Sequence, residues 1–387
     1  MYTHHSVYST SLFQYTFVLF FLITSEIHKT YIRINLKGTV AYTGYMHLYI
    51  FLAADLVKIS RSSIIQISYN FYGGRESLQS FPLPLIRRKN ETQQWKSGDL
   101  MQDNELKKLL IKIRENDFFI PNGFDEGSAA ELVMGALRST DGELRDDLGY
   151  TILAQWIVKK KRIGPETLKE LLKQAVAGKM LFHKIGEQDS DSVFLRSFSS
   201  LLIALILYRD NQEYFLSREE FKQILLPITQ YCTMEKDYRS FVVGKGWAHA
   251  PAHISDAMDE CAQNRFATAE DCLLLLQGIR TILYHAPRVF EAEEDERLAT
   301  VVISMIRLKK IEPVRLLQWL TKINLEKLET LTAHSLAARE YLTKRINMKH
   351  FLRCLYIRFS EQSLLKADEL KTLFALEHQY NPYFFNN

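Results

Sequence analysis

The chain has 387 residues, of which 47% are apolar, 24% charged and 12% aromatic. This composition is typical of a globular protein and excludes a disordered or collagen-like chain. The 49 basic and 45 acidic side chains give a formal net charge of +4, which excludes a strongly basic nucleic-acid wrapper and a strongly acidic tail.

The first hundred residues differ in composition from the rest of the chain. Residues 1–100 hold ten Lys and Arg against five Asp and Glu, which leaves 39 basic and 40 acidic side chains for the remainder. Strong helix formers are scarce in this segment, whereas Tyr, Phe, Ser, Thr and Ile are common. We therefore predict two regions, an aromatic-rich extension over residues 1–100 and a helical domain over residues 101–387.

Three interpretations of the extension compete. Leu12–Ile23 is its most apolar run and could belong to a membrane anchor, although a spanning helix needs roughly 20 apolar residues. A secretory signal is disfavoured, because no Lys or Arg precedes the apolar run. The third interpretation is a mis-called gene start, since Met101 directly precedes the start of a helix typical of soluble domains.

Helical patterns begin after Met101. Leu144, Leu148, Ile152 and Trp156 recur every four residues and predict one buried stripe on a helix. Further helices are predicted from Pro165 to about Phe182, from the Ser217–Glu220 capping box, from the weaker Thr268–Asp271 box, and over Val314–Ile323 after Pro313. Leu201–Leu207 is apolar on all sides, which predicts a central buried helix. Convincing strand patterns are lacking.

These patterns predict an all-α fold. Helix pairs are expected to begin near residues 103, 143, 192, 250 and 293, at the irregular spacing of stacked helical hairpins that are HEAT-like. A compact helical bundle is the alternative architecture. The basic run over residues 159–162 is interpreted as the solvated end of a helix rather than a nucleic-acid patch.

One stretch carries a candidate site. Gly244 and Gly246 allow a tight backbone approach just before the start of a helix, with Pro251 in its first turn. If that helix includes His249, a polar stripe of four residues lies beside its apolar face within an arc of roughly 60°. The stripe consists of His249, His253, Asp256 and Glu260.

Three roles are open for this stripe. Two imidazoles one turn apart could bind a divalent metal, with a carboxylate as third ligand. Without a metal, His249, His253 and Asp256 could supply acid/base catalysis, while Trp247 and Glu260 help to bind a ligand. The pattern favours a structural role over both, with histidines held by buried hydrogen bonds and Trp247 packed as an anchor, because HxxxH alone is a weak signal.

A charged turn lies just upstream of the stripe. Its residues Glu235, Asp237 and Arg239 could orient the histidines, and Asp237 and Arg239 are candidate binding residues. Surface solvation is the favoured interpretation of these charges.

The pattern Asp237-x-Arg239, followed by Gly246-Trp247-Ala248-His249-x-x-Ala252-His253-x-x-Asp256, resembles a bacterial, mainly Firmicute, all-helical family of unknown function. The distinctive part of the resemblance is the Gly-Trp-x-His-x-x-Ala-His signature. The segments 106–121 and 144–146 also fit this family, and the resemblance covers roughly residues 101–380. It implies an all-helical cytoplasmic protein and implies no activity.

The sequence predicts a non-enzymatic helical module that binds a protein or peptide partner, because standard catalytic motifs are absent. The alternative is an enzyme, a metal-assisted hydrolase or an acid/base catalyst, that uses His249 and His253. The cofactor stays open, with a divalent metal as one candidate. We expect no nucleic-acid partner and a cytoplasmic location, since the four cysteines suit reduced, mostly buried thiols. A membrane anchor through residues 7–54 is the alternative.

Overall fold

The computed structural model describes residues 102–323 and 335–381. Within these residues the protein is all-α, as predicted, and one small hairpin of two-residue strands interrupts the helices. The extension predicted over residues 1–100 lies outside the described residues. The helices and strands are, in order, α1 (Asp103–Glu115), α2 (Glu126–Met134), α3 (Thr151–Ala154), α4 (Pro165–Ala175), α5 (Ser192–Glu213), α6 (Arg218–Met234), β1 (Phe241–Val242), β2 (Gly246–Trp247), α7 (Ala250–Gln263), α8 (Ala269–His285), α9 (Glu294–Arg307), α10 (Pro313–Lys322), α11 (Leu336–Glu361) and α12 (Ala367–Gln379).

The apolar stripe predicted over residues 144–156 is confirmed. It lies on a helix whose hydrogen-bonding pattern is unusual. Helix α3 is flanked by π-helical segments, Glu143–Tyr150 and Gln155–Lys159, and the four stripe residues are fully buried. A π turn closes its hydrogen bond one residue further along than an α turn. A helix that mixes the two kinds of turn has more residues per turn on average than an α-helix. This explains why the stripe recurs every four residues.

Helix α5 is the central helix that the apolar run Leu201–Leu207 predicts. By length and composition it could cross a membrane, but 83% of its most apolar window is buried inside the protein. Helix α7 packs against α5 on one side and against α9 on the other. The neighbouring helices α5, α7 and α9 therefore form the scaffold of the candidate site.

Most predicted helix starts are confirmed. Helical segments begin at Asp103, Glu143, Ser192, Ala250 and Glu294, each within one residue of the expected position. Both capping boxes are formed, with the backbone N–H of the third helical residue donating to the Ser or Thr hydroxyl. The HEAT-like stacking of the helix pairs stays a prediction. The four cysteines are buried free thiols, as expected.

Two predictions about elements were wrong. The helix that starts at Pro165 ends at Ala175 rather than near Phe182, and a series of turns follows it. Gly178, a poor helix former, lies in these turns. The strands β1 and β2 were missed because two residues are too few to show an alternating pattern.

A buried ion pair joins α5 to the loop that precedes β1. The guanidinium of Arg196 lies 2.7 and 2.8 Å from the two carboxylate oxygens of Glu235, and both side chains are almost completely buried. The same Glu235 accepts hydrogen bonds from the backbone N–H groups of Lys236 and Asp237. The pair thus fixes the start of the loop that leads to the hairpin.

Replacing Arg196 with Met should lower the free energy of unfolding by about 3–5 kcal/mol, because it leaves a buried carboxylate without its partner. The control is Lys173→Met, which removes an exposed ion pair with Glu170 and should cost less than about 1 kcal/mol. Urea unfolding of both variants provides the measurement. Equal effects of the two substitutions would contradict a special role for the buried pair.

Candidate functional site

The hairpin preceding α7 exposes apolar side chains. Strands β1 and β2 pair Phe241 with Trp247 in antiparallel register, and Gly244 and Gly246 take positive φ angles in the turn. The exposed fractions are 42% for Phe241, 90% for Val243 and 43% for Trp247. The ring of Phe241 meets that of Trp247 edge to face, with centroids 5.2 Å apart. We call Phe241, Val243 and Trp247 the hairpin tip.

A buried arginine anchors the hairpin to the body of the domain. The fully buried guanidinium of Arg145 donates to the carbonyl oxygens of Lys245 at 2.8 Å and Trp247 at 3.3 Å. A third bond, of 2.8 Å, goes to the carbonyl of Ser139. Gly246 makes this approach possible, because a Cβ there would lie 3.0 Å from the Arg145 guanidinium. The sequence analysis placed this arginine only within a segment that resembles the family.

Aromatic rings and one carboxylate complete the surroundings of Arg145. The guanidinium carbon lies 4.1 Å from the ring centroid of Phe194 and 4.9 Å from that of Phe198, both on α5. Its Nε lies 2.7 Å from a carboxylate oxygen of Asp146. Burial raises the pKa of Asp146 to about 6, although the charge of Arg145 opposes the shift. The cation is thus stabilised by ring faces and carbonyl oxygens as well as by a carboxylate.

The charged turn is buried rather than solvated, so the surface interpretation was wrong. Asp237 is almost fully buried and binds the guanidinium of Arg239 through both carboxylate oxygens, the closest at 2.6 Å. Arg239 also donates to the carbonyl of Ser190 at 2.8 Å. These charged side chains therefore form their ion pairs and hydrogen bonds within the protein. The turn orients the site through its backbone, since the carbonyl of Arg239 accepts from the N–H of His249 at 2.9 Å.

Helix α7 does not include His249, contrary to the register that the polar stripe required. His249 is the residue before the helix and has a left-handed backbone, with φ 52° and ψ 34°. The helix begins at Ala250, and Pro251 lies in its first turn, where the missing N–H of proline needs no partner. The two imidazoles still meet, and their ring centroids are 5.5 Å apart.

His249 is held between an exposed indole and a buried carboxylate. Its ring stacks on Trp247 at 5.1 Å between centroids. Its Nε2 lies 2.9 Å from the carbonyl oxygen of Ala292 and 3.4 Å from a carboxylate oxygen of Glu294. Both neighbours are acceptors, so Nε2 carries the proton.

Glu294, the first residue of α9, is a buried anion. Burial alone would raise its pKa, but hydrogen bonds from His249 and from the hydroxyl of Ser240 lower the pKa to about 2. The backbone N–H of Ala292 also donates to the carboxylate, at 2.8 Å. Glu294 is therefore ionised at neutral pH and fixes the orientation of the His249 ring.

The hydrogen bonds of His253 define its tautomer. The hydroxyl of the fully buried Ser197 donates to the carbonyl oxygen of Ala248 and lies 2.6 Å from Nδ1 of His253. A hydroxyl has one proton, so Nδ1 of His253 must donate to Ser197. Nε2 is consequently unprotonated in the neutral ring. Burial lowers the pKa of His253 well below its usual value, and the neighbouring His249, Arg297 and Arg145 lower it further.

The two predicted carboxylates of α7 belong to different surroundings. Asp256 lies at the edge of the histidine pair, where Arg297 of α9 binds both of its carboxylate oxygens at 2.6 and 2.7 Å. Glu260 lies two turns from His253 and accepts from the side chain of Asn211 at 2.9 Å. Burial raises the pKa of Glu260 to about 7. The structure therefore brings Trp247, His249, His253 and Asp256 together and separates Glu260 from them.

Metal binding finds no support in this geometry. Among the residues that the structure describes, no three His, Cys, Asp or Glu side chains are grouped closely enough to hold a metal ion together. The site does contain residues that the sequence analysis did not connect with it. Ser197, Ser240, Glu294 and Arg297 lie 41 to 56 positions from the residues they contact, and no local pattern in the sequence signals such pairings.

Comparison with known proteins places most of this site in one family domain. Residues 181–357 match a family described as a protein of unknown function, DUF2785. The matched segment includes the hairpin and α7. No curated protein and no solved structure matches the chain. The expectation of an uncharacterised domain is thus confirmed, whereas the signature and its bacterial range stay predictions.

The fit of Gly246 against Arg145 can be tested with a neighbouring glycine as control. Both Gly244 and Gly246 have positive φ angles, but a Cβ at Gly244 would meet no atom within 4 Å. Gly244→Ala should therefore cost only the backbone strain, about 1–2 kcal/mol. Gly246→Ala should cost at least about 1 kcal/mol more in thermal or urea unfolding. A smaller effect at Gly246 than at Gly244 would contradict the anchoring role of Arg145.

Burial of a neutral His253 predicts a pH-dependent stability. Below its usual pKa of about 6.5, the unfolded chain binds a proton at this residue while the folded chain does not, so acidification favours unfolding. His253→Asn removes this linkage. The stability advantage of the wild type over this variant should shrink by up to about 1.4 kcal/mol per pH unit below 6.5.

Urea unfolding at pH 7.5, 6.5 and 5.5 measures this difference. Ser197→Ala is the control, because it removes the hydrogen bond and leaves the imidazole, so the wild-type pH dependence should persist. Stability curves for wild type and His253→Asn that run parallel over this range would show that His253 is not the linked group.

Proposed function

We propose that the protein is a binding module that recognises a protein or peptide segment through the hairpin tip. The observation that carries this proposal is the exposure of three apolar side chains on a hairpin of seven residues. Val243 alone is 90% exposed. Single exposed apolar residues are common on protein surfaces, but a contiguous group on one short element is typical of an interaction site.

The hairpin that carries these side chains is held rigidly, which favours binding. The hairpin is fixed by the buried Arg145, and its end is tied by hydrogen bonds from Ala248 and His249 to the backbone of the preceding loop. A surface that is ordered before binding loses little conformational entropy when a partner docks. Tryptophan is the residue type most enriched among those that dominate binding energy at interfaces. Trp247 therefore has the position and the chemistry of an anchor residue.

Site-specific photo-cross-linking tests the proposal. A benzophenone amino acid at position 243 should yield a discrete adduct with a partner in cells that express the chain, because Val243 is exposed and substitution there leaves the fold intact. The matched control is position 314, where Val314 of α10 is 55% exposed. Adducts at both positions in equal yield, or at neither, would overturn the proposal.

A second candidate function is acid/base catalysis by His253. The specific observation that favours it is the unprotonated Nε2 of a ring whose tautomer is fixed by Ser197. This arrangement leaves Nε2 able to accept a proton, as general-base catalysis requires, while the lowered pKa of His253 makes the ring a weak base. A cavity of about 290 Å³ lies elsewhere, between α11 and α12. Turnover of ester or phosphoester substrates that His253→Asn abolishes and Trp247→Leu retains would favour catalysis over binding.

A further inference from the structure

We infer that the segment recognised at the hairpin tip is positively charged. Its Arg or Lys side chains would bind to Trp247 and to the acidic loop that contains Glu291 and Glu293. The inference rests on the proposed function and adds the chemistry of the partner. It combines three observations: two exposed carboxylates without an ion-pair partner in the described residues, a partly exposed indole, and one ring nitrogen that can only accept a hydrogen bond.

The acidic loop lies next to the indole. His249 stacks on Trp247 and also contacts the carbonyl of Ala292, so the imidazole ring alone separates the backbone of Ala292 from the indole. Those residues, Glu291 and Glu293, are both exposed. In the described ranges, neither of their carboxylates has a cation within ion-pair distance. They therefore present negative charge to solvent beside the hairpin tip.

Most other charges around the loop are compensated. Asp256 is paired with Arg297 and Glu296 with Arg358, while Glu294 is buried and accepts hydrogen bonds from Ser240 and Ala292. On the hairpin itself, Lys245 is paired with Asp191 at 2.7 Å. Arg288 is exposed on the segment that leads into the loop and reduces the negative charge without cancelling it. The surface next to Trp247 thus keeps a net negative character, which attracts a cationic segment.

The indole and the histidines fit the same ligand. One face of Trp247 is covered by His249 and the ring of Phe241 meets the indole edge to face, while 43% of the residue stays exposed and accessible to a cation. Within the described residues, Nε2 of His253 has no hydrogen-bond partner, although His253 is 92% buried. An unprotonated ring nitrogen accepts a hydrogen bond and does not donate one, so Nε2 of His253 can accept from a guanidinium or ammonium group, against the nearby positive charges of Arg297 and Arg145.

Peptide binding tests the inference. The probe is a fluorescently labelled decapeptide of alternating Arg and Gly, and its matched control alternates Glu and Gly. Fluorescence anisotropy with the full chain should show saturable binding of the basic peptide only, weakened several-fold when the salt concentration rises from 50 to about 300 mM. Trp247→Leu should weaken binding by roughly 3- to 30-fold, the range expected for a cation over an indole.

Surface variants distinguish peptide binding at a specific site from general electrostatic attraction to the protein. The double variant Glu291→Gln/Glu293→Gln changes only exposed carboxylates and should weaken binding by about 3- to 10-fold. The control pair Glu166→Gln/Glu170→Gln removes two exposed carboxylates on α4 and should leave binding unchanged. Equal binding of both peptides, no saturable binding, or equal loss in both double variants would overturn the inference. If the partner cross-linked at position 243 presents an apolar or acidic segment there, the binding function stands and the cationic partner is rejected.

Discussion

The candidate site depends on one interaction, the insertion of the Arg145 guanidinium beneath the hairpin. This side chain reaches residues 100 and 102 positions away in the chain and binds their carbonyl oxygens. A buried cation is costly unless it is compensated, and here hydrogen bonds to carbonyl oxygens, an ion pair with a carboxylate and contact with two ring faces compensate it. Without this anchor the two-residue strands could not hold Trp247 in one place, because so short a hairpin is unstable by itself.

Left-handed backbone occurs where helices α7 and α9 begin, as it does at eight other non-glycine residues of the described ranges. The residue before each helix, His249 and Glu293, has a left-handed backbone with φ angles of 52° and 64°. A residue in this position is usually extended, and the left-handed form costs a side chain of this kind about 1–3 kcal/mol. The contact of His249 with Ala292 links the two strained segments directly.

Local patterns predicted the helices well and the site only in part. Buried stripes, capping boxes and the central apolar helix follow from the spacing of residues along the chain, so sequence alone located their starts. The left-handed His249 could not be predicted, since nothing in its side chain demands that backbone. Nor could the burial of Asp237, which depends on Arg239 and the distant carbonyl of Ser190. The histidines meet for a different reason from the predicted one: a turn before the helix, not a shared helix face.

The signature around Trp247 is explained position by position by this geometry. Gly246 admits the guanidinium of Arg145, and Ala248 is buried against Phe194 while its carbonyl accepts from Ser197. His249 and His253 are fixed by partners on α9 and α5, the two helices between which α7 lies. The contacts of each buried residue thus help to fix the positions of the residues next to it. Trp247 differs, because its side chain remains 43% exposed while its backbone is anchored. An indole held in place in this way and left partly exposed is what the proposed binding role requires.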